Sequence, residues 1–100
     1  MMLKDNPELN LPNFTGGSYS HFDRIFLPYN ELILSEVKLS NSGNLELIVK
    51  PIDGGQEQWT DWLKLKIHDE NKIKILLDWF NKQIGKTIDF IYKSEFSFEN

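Results

Sequence analysis

Three segments in the middle of the chain alternate between apolar and polar residues, and one later segment changes to helical spacing. Alternation with a period of two is typical of a β-strand that buries one face, and it covers residues 31–40, 45–50 and 58–67. The link 41–44, Asn-Ser-Gly-Asn, holds residues that tolerate positive φ and therefore predicts a hairpin. A shorter strand is predicted from His21 to Leu27. Consecutive strands with short links indicate an antiparallel meander.

A single long helix is predicted after the strands. At about 100° per residue, five apolar side chains fall within one narrow stripe. These are Ile73, Leu76, Leu77, Phe80 and Ile84. Asp69 is the expected N-cap, and Gly85 stands where a helix commonly ends in a left-handed conformation. The sequence therefore predicts an α+β fold, an antiparallel meander of about four strands with one long C-terminal-half helix packed on one face.

The length and composition indicate one domain preceded by an arm. A chain of 100 residues can bury one modest core. Residues 1–20 contain two prolines and two glycines among scattered apolar side chains, which favours a flexible or loosely docked N-terminal arm. We expect residues 21–100 to form the single α+β domain. Near the C-terminus, Thr87 is expected to open a short helical turn, followed by an edge strand with Phe96 and Phe98.

Composition argues against several classes of function. The chain has no cysteine, which excludes disulfides and thiolate chemistry, and it has only two histidines, His21 and His68, in no ligand spacing. We therefore predict no catalytic residues, no metal and no cofactor. A formal net charge of -4 disfavours a protein that coats duplex DNA. No long apolar run is present, so we expect a cytoplasmic protein without membrane contact.

Trp59 and Trp62 are three positions apart on one predicted strand, so they belong to opposite faces of the sheet. By parity, Trp59 joins the helix-facing residues together with Ile33, Val37 and Leu39, and Trp62 points away. The same parity places Leu32, Leu34 and Ile48 on the outward face with Trp62. Four lysines surround this predicted apolar patch, namely Lys38, Lys50, Lys64 and Lys66. Because a solvated sheet face is normally polar, the patch needs an explanation.

One explanation is that another part of the chain covers the patch. The arm could do so with Phe14 and Phe22, and the C-terminal tail could do so with Phe96 and Phe98. Small domains often complete a second cluster in this way, and Trp62 would then be structural. The lysines would be ordinary solvated charges at the rim.

The second explanation, and the one we favour among functional hypotheses, is a protein interface. Tryptophan is enriched in interface hot spots, and a patch bordered by charge has the anatomy of core and rim. Ile75 and Trp79 lie outside the helix stripe and supply a second predicted apolar site. The sequence thus favours a non-enzymatic module that recognises or inhibits another protein, such as a phage-encoded inhibitor or a toxin-immunity protein. A homodimer is an alternative within this hypothesis.

The third explanation is single-stranded nucleic acid. An aromatic side chain on an open sheet stacks on a base, and interleaved lysines follow the phosphates. A meander followed by one helix is similar in outline to small single-strand-binding folds. Trp62 and the four lysines would form that site, but Glu36 and Glu46 lie among them. We therefore rank this explanation below the protein interface.

Overall fold

The computed structural model describes residues 1–12, 18–19, 24–25, 29–53 and 59–98. The strands are β1 (Leu9–Asn10), β2 (Ser18–Tyr19), β3 (Arg24–Ile25), β4 (Leu32–Leu39), β5 (Leu45–Pro51) and β6 (Trp59–Leu65). The helices are α1 (Glu70–Asn81) and α2 (Ile88–Tyr92), and single 3₁₀ turns cover Leu3–Asp5 and Tyr29–Glu31. A four-stranded antiparallel sheet with one helix of 12 residues in the C-terminal half confirms the predicted α+β fold.

The main sheet has the strand order β1-β6-β5-β4, and every pairing in it is antiparallel. The meander β4-β5-β6 is therefore present as predicted. Strand β1 adds a fourth member, with Leu9 opposite Leu65, although two residues are too few to show alternation in the sequence. Strands β2 and β3 pair with each other in a separate two-stranded sheet.

The core lies between the main sheet and the helices. It consists of the buried side chains of Leu3, Leu9, Leu32, Leu34, Val37, Leu45, Leu47, Val49, Leu63, Ile67, Leu76, Phe80, Ile88, Ile91, Tyr92 and Phe96. In α1, Leu76 and Phe80 are fully buried, and Ile73 and Leu77 pack against the margin of the core. Four of the five predicted stripe residues thus face the core. Ile84 is exposed because α1 ends at Asn81, before residue 84 is reached.

Both helices begin where the sequence predicts. The Asp69 side chain accepts a hydrogen bond from the backbone N–H of Asn71 at 2.8 Å, and Thr87 accepts one from Phe90 at 3.1 Å. These caps satisfy N–H groups that have no partner within the helix. Gly85 has φ +94°, a conformation that side chains with a Cβ rarely adopt. It sits in the turn between the helices.

Strand β4 contains a β-bulge at Ser35. Leu34 pairs with Val49 and Glu36 pairs with the adjacent Ile48, so Ser35 is an extra residue opposite a continuous partner strand. A bulge of this kind reverses the relation between residue parity and sheet face from that point onward. Residues before and after Ser35 must therefore be assigned to faces separately.

The bulge overturns part of the predicted face assignment. Leu32 and Leu34 were expected on the outward face, but both are fully buried in the core. Val37, which has the opposite parity, is in the core as well, because it follows the bulge. Ile33 was expected to face the helix, but it pairs with Lys50, outside the core. The prediction was wrong because it assumed uninterrupted alternation along the strand.

The first 12 residues are an integral part of the folded unit. Leu3 and Leu9 belong to the core, the backbone N–H of Leu3 donates to Ser94 at 2.9 Å, and that of Lys66 donates to Glu8 at 3.0 Å. Loose docking was expected of this segment and does not hold for residues 1–12. Residues 13–17 and 20 lie outside the described part of the chain, so the boundary at residue 20 stays a prediction.

The C-terminal tail returns to the N-terminus instead of adding a full strand. The backbone N–H of Phe96 donates to Met1 at 2.9 Å, and Glu95 forms an isolated bridge with Met2. In the described part of the tail, this bridge replaces the edge strand that was expected to carry Phe96 and Phe98. Phe96 is instead buried in the core.

Candidate binding face of the sheet

The main sheet has a second face, opposite the core, which we call the outer face. On β5, Leu45, Leu47 and Val49 are in the core, so the residues between them lie on the other side. The outer face is defined by Ile33, Glu36, Lys38, Glu46, Ile48, Lys50, Trp62 and Lys64. Cross-strand pairing orders them in rows. One row is Lys38, Glu46 and Trp62, and the next contains Glu36 and Ile48.

Trp62 lies on the outer face, where its parity places it. Its register partner is Glu46, and 42% of its surface is exposed. The backbone of Trp59 pairs with Val49, a core residue, but the Trp59 side chain lies outside the described part of the structure. The parity argument for Trp62 survives because no register shift interrupts the pairing of β5 with β6.

The apolar patch on this face is smaller than the sequence predicts. Leu34 is absent from it, because the bulge turns that side chain into the core. Ile48 is on the outer face but only 7% exposed, and it is not a member of the core. Of the four apolar residues that were expected to form the patch, Leu32 and Leu34 are in the core and Ile48 is buried, so Trp62 supplies the exposed surface.

Two of the four predicted lysines lie near Trp62 in the strand pairing, since Lys64 is two residues away on β6 and Lys38 is in the same cross-strand row. Lys38, Lys64 and Lys66 are exposed, and Lys50 is half-buried. The Lys38 ammonium lies 3.8 Å from the Glu36 carboxylate, and both side chains are exposed. An exposed pair of this type adds little to stability. Such charges remain available to a partner of opposite sign.

The second predicted site, Ile75 and Trp79, lies next to the C-terminal tail, which contacts Trp79. Both residues are half-buried and pack against the core. The Trp79 ring meets Phe96 edge-on at a centroid distance of 5.1 Å, and Phe96 meets Phe98 at 4.9 Å. The pair was predicted as an open apolar site; in the structure both side chains are half-buried, and Phe96 of the tail packs against Trp79.

These contacts also bear on what covers the outer face. The aromatic residues of the tail were one predicted cover, but they pack beside α1. The other predicted cover consisted of Phe14 and Phe22, and both residues lie outside the described part of the chain. Structural coverage by the arm therefore stays a prediction.

One apolar surface was missed by sequence reasoning. Leu39 was assigned to the core, but it is 49% exposed at the end of β4. With Ile73 and Leu77 of α1 it lines a groove of about 470 Å³ between the β4–β5 hairpin and the helix. The exposure of Leu39 could have been predicted from its place at the end of a strand, since a residue next to a turn is seldom fully buried.

The described residues also include histidine and acidic side chains. Within them, no group of three histidine, cysteine, aspartate or glutamate side chains is placed to hold a metal ion. His68 is exposed just before α1, and His21 lies outside the described ranges. Across the same ranges, no helix has both the length and the apolar character needed to cross a membrane.

Comparison of the chain with protein-family models, with curated proteins and with solved structures gives no match.

Proposed function

We propose that the chain is a non-enzymatic binding module that recognises another protein through its outer face, with Trp62 as the central contact. The observation that carries this proposal is the 42% exposure of Trp62 on the sheet face opposite the core. Tryptophan gains much free energy when a partner buries it, because it has a large apolar area and few rotamers to lose. An inhibitor or an immunity protein can act by binding alone, by blocking a site on its partner with such a surface.

The charges around Trp62 favour a partner with an acidic rim. Lys38 and Lys64 are exposed on the outer face with it, and each could pair with a carboxylate at the edge of an apolar pocket. Charges in this position raise the rate of association and select among partners more than they raise affinity. We therefore expect binding that weakens as salt is added.

Single-stranded nucleic acid is less well supported. Glu46 is the direct cross-strand neighbour of Trp62, and Glu36 lies beside Lys38. A phosphate that followed the lysines would meet these carboxylates. A titration at low salt with a mixed-sequence oligonucleotide separates the two functions. Quenching of tryptophan fluorescence that disappears in Trp62→Ala would favour nucleic acid over protein.

Replacement of Trp62 by alanine is expected to abolish capture of the partner and to preserve the fold. Truncation of a hot-spot tryptophan costs about 2 kcal/mol or more of binding, which corresponds to a loss of roughly 30-fold. The wild type and the variant would be immobilised and exposed to lysate of the source cell, and retained proteins would be quantified by mass spectrometry. Circular dichroism and urea denaturation would report on the fold.

Phe90→Ala is the matched control, because Phe90 is a 55% exposed aromatic residue that lies on α2 and not on the sheet. A protein retained by wild type and by Phe90→Ala, but lost with Trp62→Ala, supports the proposal. Equal retention by all three chains contradicts it. A stability loss of about 3 kcal/mol or more in Trp62→Ala would mark Trp62 as a packing residue instead.

A further inference from the structure

Strand β4 forms one edge of the main sheet. In the described part of the chain, the turn at residues 85–87 pairs with the first half of this strand only. The backbone N–H of Leu34 donates to Lys86 at 2.9 Å, and Leu34 accepts from Gly85 at 2.8 Å. Ile33 forms a bridge with Thr87. Beyond the bulge, no described residue pairs with the outer side of residues 36–39. This second half of β4 is called the open edge.

Alternation of the backbone identifies the groups that face the open edge. The N–H of Ser40 donates to Asn44 across the hairpin at 2.7 Å, so the backbone of Ser40 faces β5. Successive residues of an antiparallel strand present their N–H and C=O groups to opposite sides. Leu39 and Val37 therefore present theirs to the open edge. An edge of this kind is a template for another strand.

We propose that the open edge pairs with the same edge of a second copy of the chain, antiparallel about a twofold axis at Val37. In that register Val37 exchanges both backbone hydrogen bonds with Val37 of the second copy. Glu36 of each copy stands directly opposite Lys38 of the other, which gives two cross-strand pairs of opposite charge. A surface that is complementary to itself is the requirement for a closed symmetric dimer.

The charges select this register over its nearest competitor. A pairing centred on Lys38 would also satisfy the backbone groups of Val37 and Leu39, but it would place the two Lys38 side chains opposite each other. Like charges in that position are destabilising, whereas opposite charges stabilise the ladder. A single lysine on an edge strand keeps strands apart. In the proposed register, Lys38 instead lies opposite Glu36 of the second copy, so the edge lysine attracts the paired strand.

Apolar surface on the helix side of the edge completes the proposed contact. A ladder of a few residues is weak without side-chain burial. Leu39, 49% exposed, lines the groove of about 470 Å³ with Ile73 and Leu77. Because this groove begins at Leu39, two residues from Val37 on β4, pairing of the two edges brings the grooves of both copies close to the axis. The exposed Leu39 side chains would then leave water.

Charge reversal tests the register. Sedimentation equilibrium over a concentration series is expected to show reversible dimerisation of the wild type. Glu36→Lys and Lys38→Glu should each weaken self-association about tenfold or more, since each replaces two attractive pairs by two repulsive ones. An equimolar mixture of the two variants should associate again, because lysines at 36 and 38 of one chain then face glutamates at 38 and 36 of the other. Lys4→Glu is the control, because Lys4 is an exposed lysine in the N-terminal 3₁₀ turn and not on the sheet.

Three results would overturn the proposal. They are a wild type that stays monomeric up to about 1 mM, single variants that associate as well as wild type, and a mixture that gains nothing over its components. Since the readout is self-association, none of these results bears on whether Trp62 contacts another protein. Dimerisation restored only in the mixture assigns the contact to Glu36 and Lys38.

Discussion

Truncation of Leu34 to alanine is expected to lower the free energy of unfolding by about 3 kcal/mol. The Leu34 side chain is fully buried in the core. Truncation removes the free energy gained when the leucine side chain is transferred from water into the core. It also leaves a cavity, because the close-packed interior relaxes only in part. Urea denaturation at equilibrium measures the change, provided that the slope of the transition is unchanged.

Leu39→Ala is the matched control for this prediction. It is the same chemical change on the same strand, but Leu39 is 49% exposed, so we expect a loss of about 1 kcal/mol or less. The contrast between the two variants is a direct test of the bulge at Ser35. If Leu39→Ala proved the more damaging of the two, β4 would alternate without interruption and Leu34 would return to the outer face.

Phe96→Ala is the second substitution with a large expected effect, a loss of about 3 to 4 kcal/mol. Phe96 is buried and meets Trp79 and Phe98 edge-on, at centroid distances of 5.1 and 4.9 Å. Its backbone also holds the N-terminus through Met1. We therefore expect the variant to loosen both ends of the chain and to expose Trp79, which a red shift in tryptophan emission would report.

Phe90→Ala controls for the loss of a phenyl ring, because Phe90 is 55% exposed and lies in the same part of the chain. We expect Phe90→Ala to lower the free energy of unfolding by no more than about 1 kcal/mol and to leave the wavelength of tryptophan emission unchanged. Equal stability of the two variants would mean that the tail contributes nothing to the core. In that case Ile75 and Trp79 would again be candidates for an open apolar site.

The main elements of the fold could be predicted because their signals are local. Helix α1 is marked by Asp69 at its start and by four core-facing residues at helical spacing, and the hairpin is marked by its four-residue link. Strand β1 could not be predicted, since two residues show no period. Its pairing depends on β6, which is distant in sequence.

The candidate site could be predicted only in part, for the same physical reason. Trp62 was placed correctly because β5 and β6 pair without a register shift. Leu34 was misplaced because a bulge depends on pairing between strands, and Ser35 carries no sequence mark of it. The contact of Trp79 with Phe96 could not be predicted, because Phe96 comes from a tail whose path is set by contacts with Met1 and Met2.

Site-specific photo-cross-linking is the most direct test of the proposal that the outer face binds another protein. A cross-linking residue at position 64 would lie on the outer face near Trp62, and one at position 93, exposed at the end of α2, would lie away from it. We predict a discrete adduct with a different protein from position 64, absent from position 93 and lost when Trp62→Ala is added. No adduct from position 64, or the same adduct from both positions, would contradict the account.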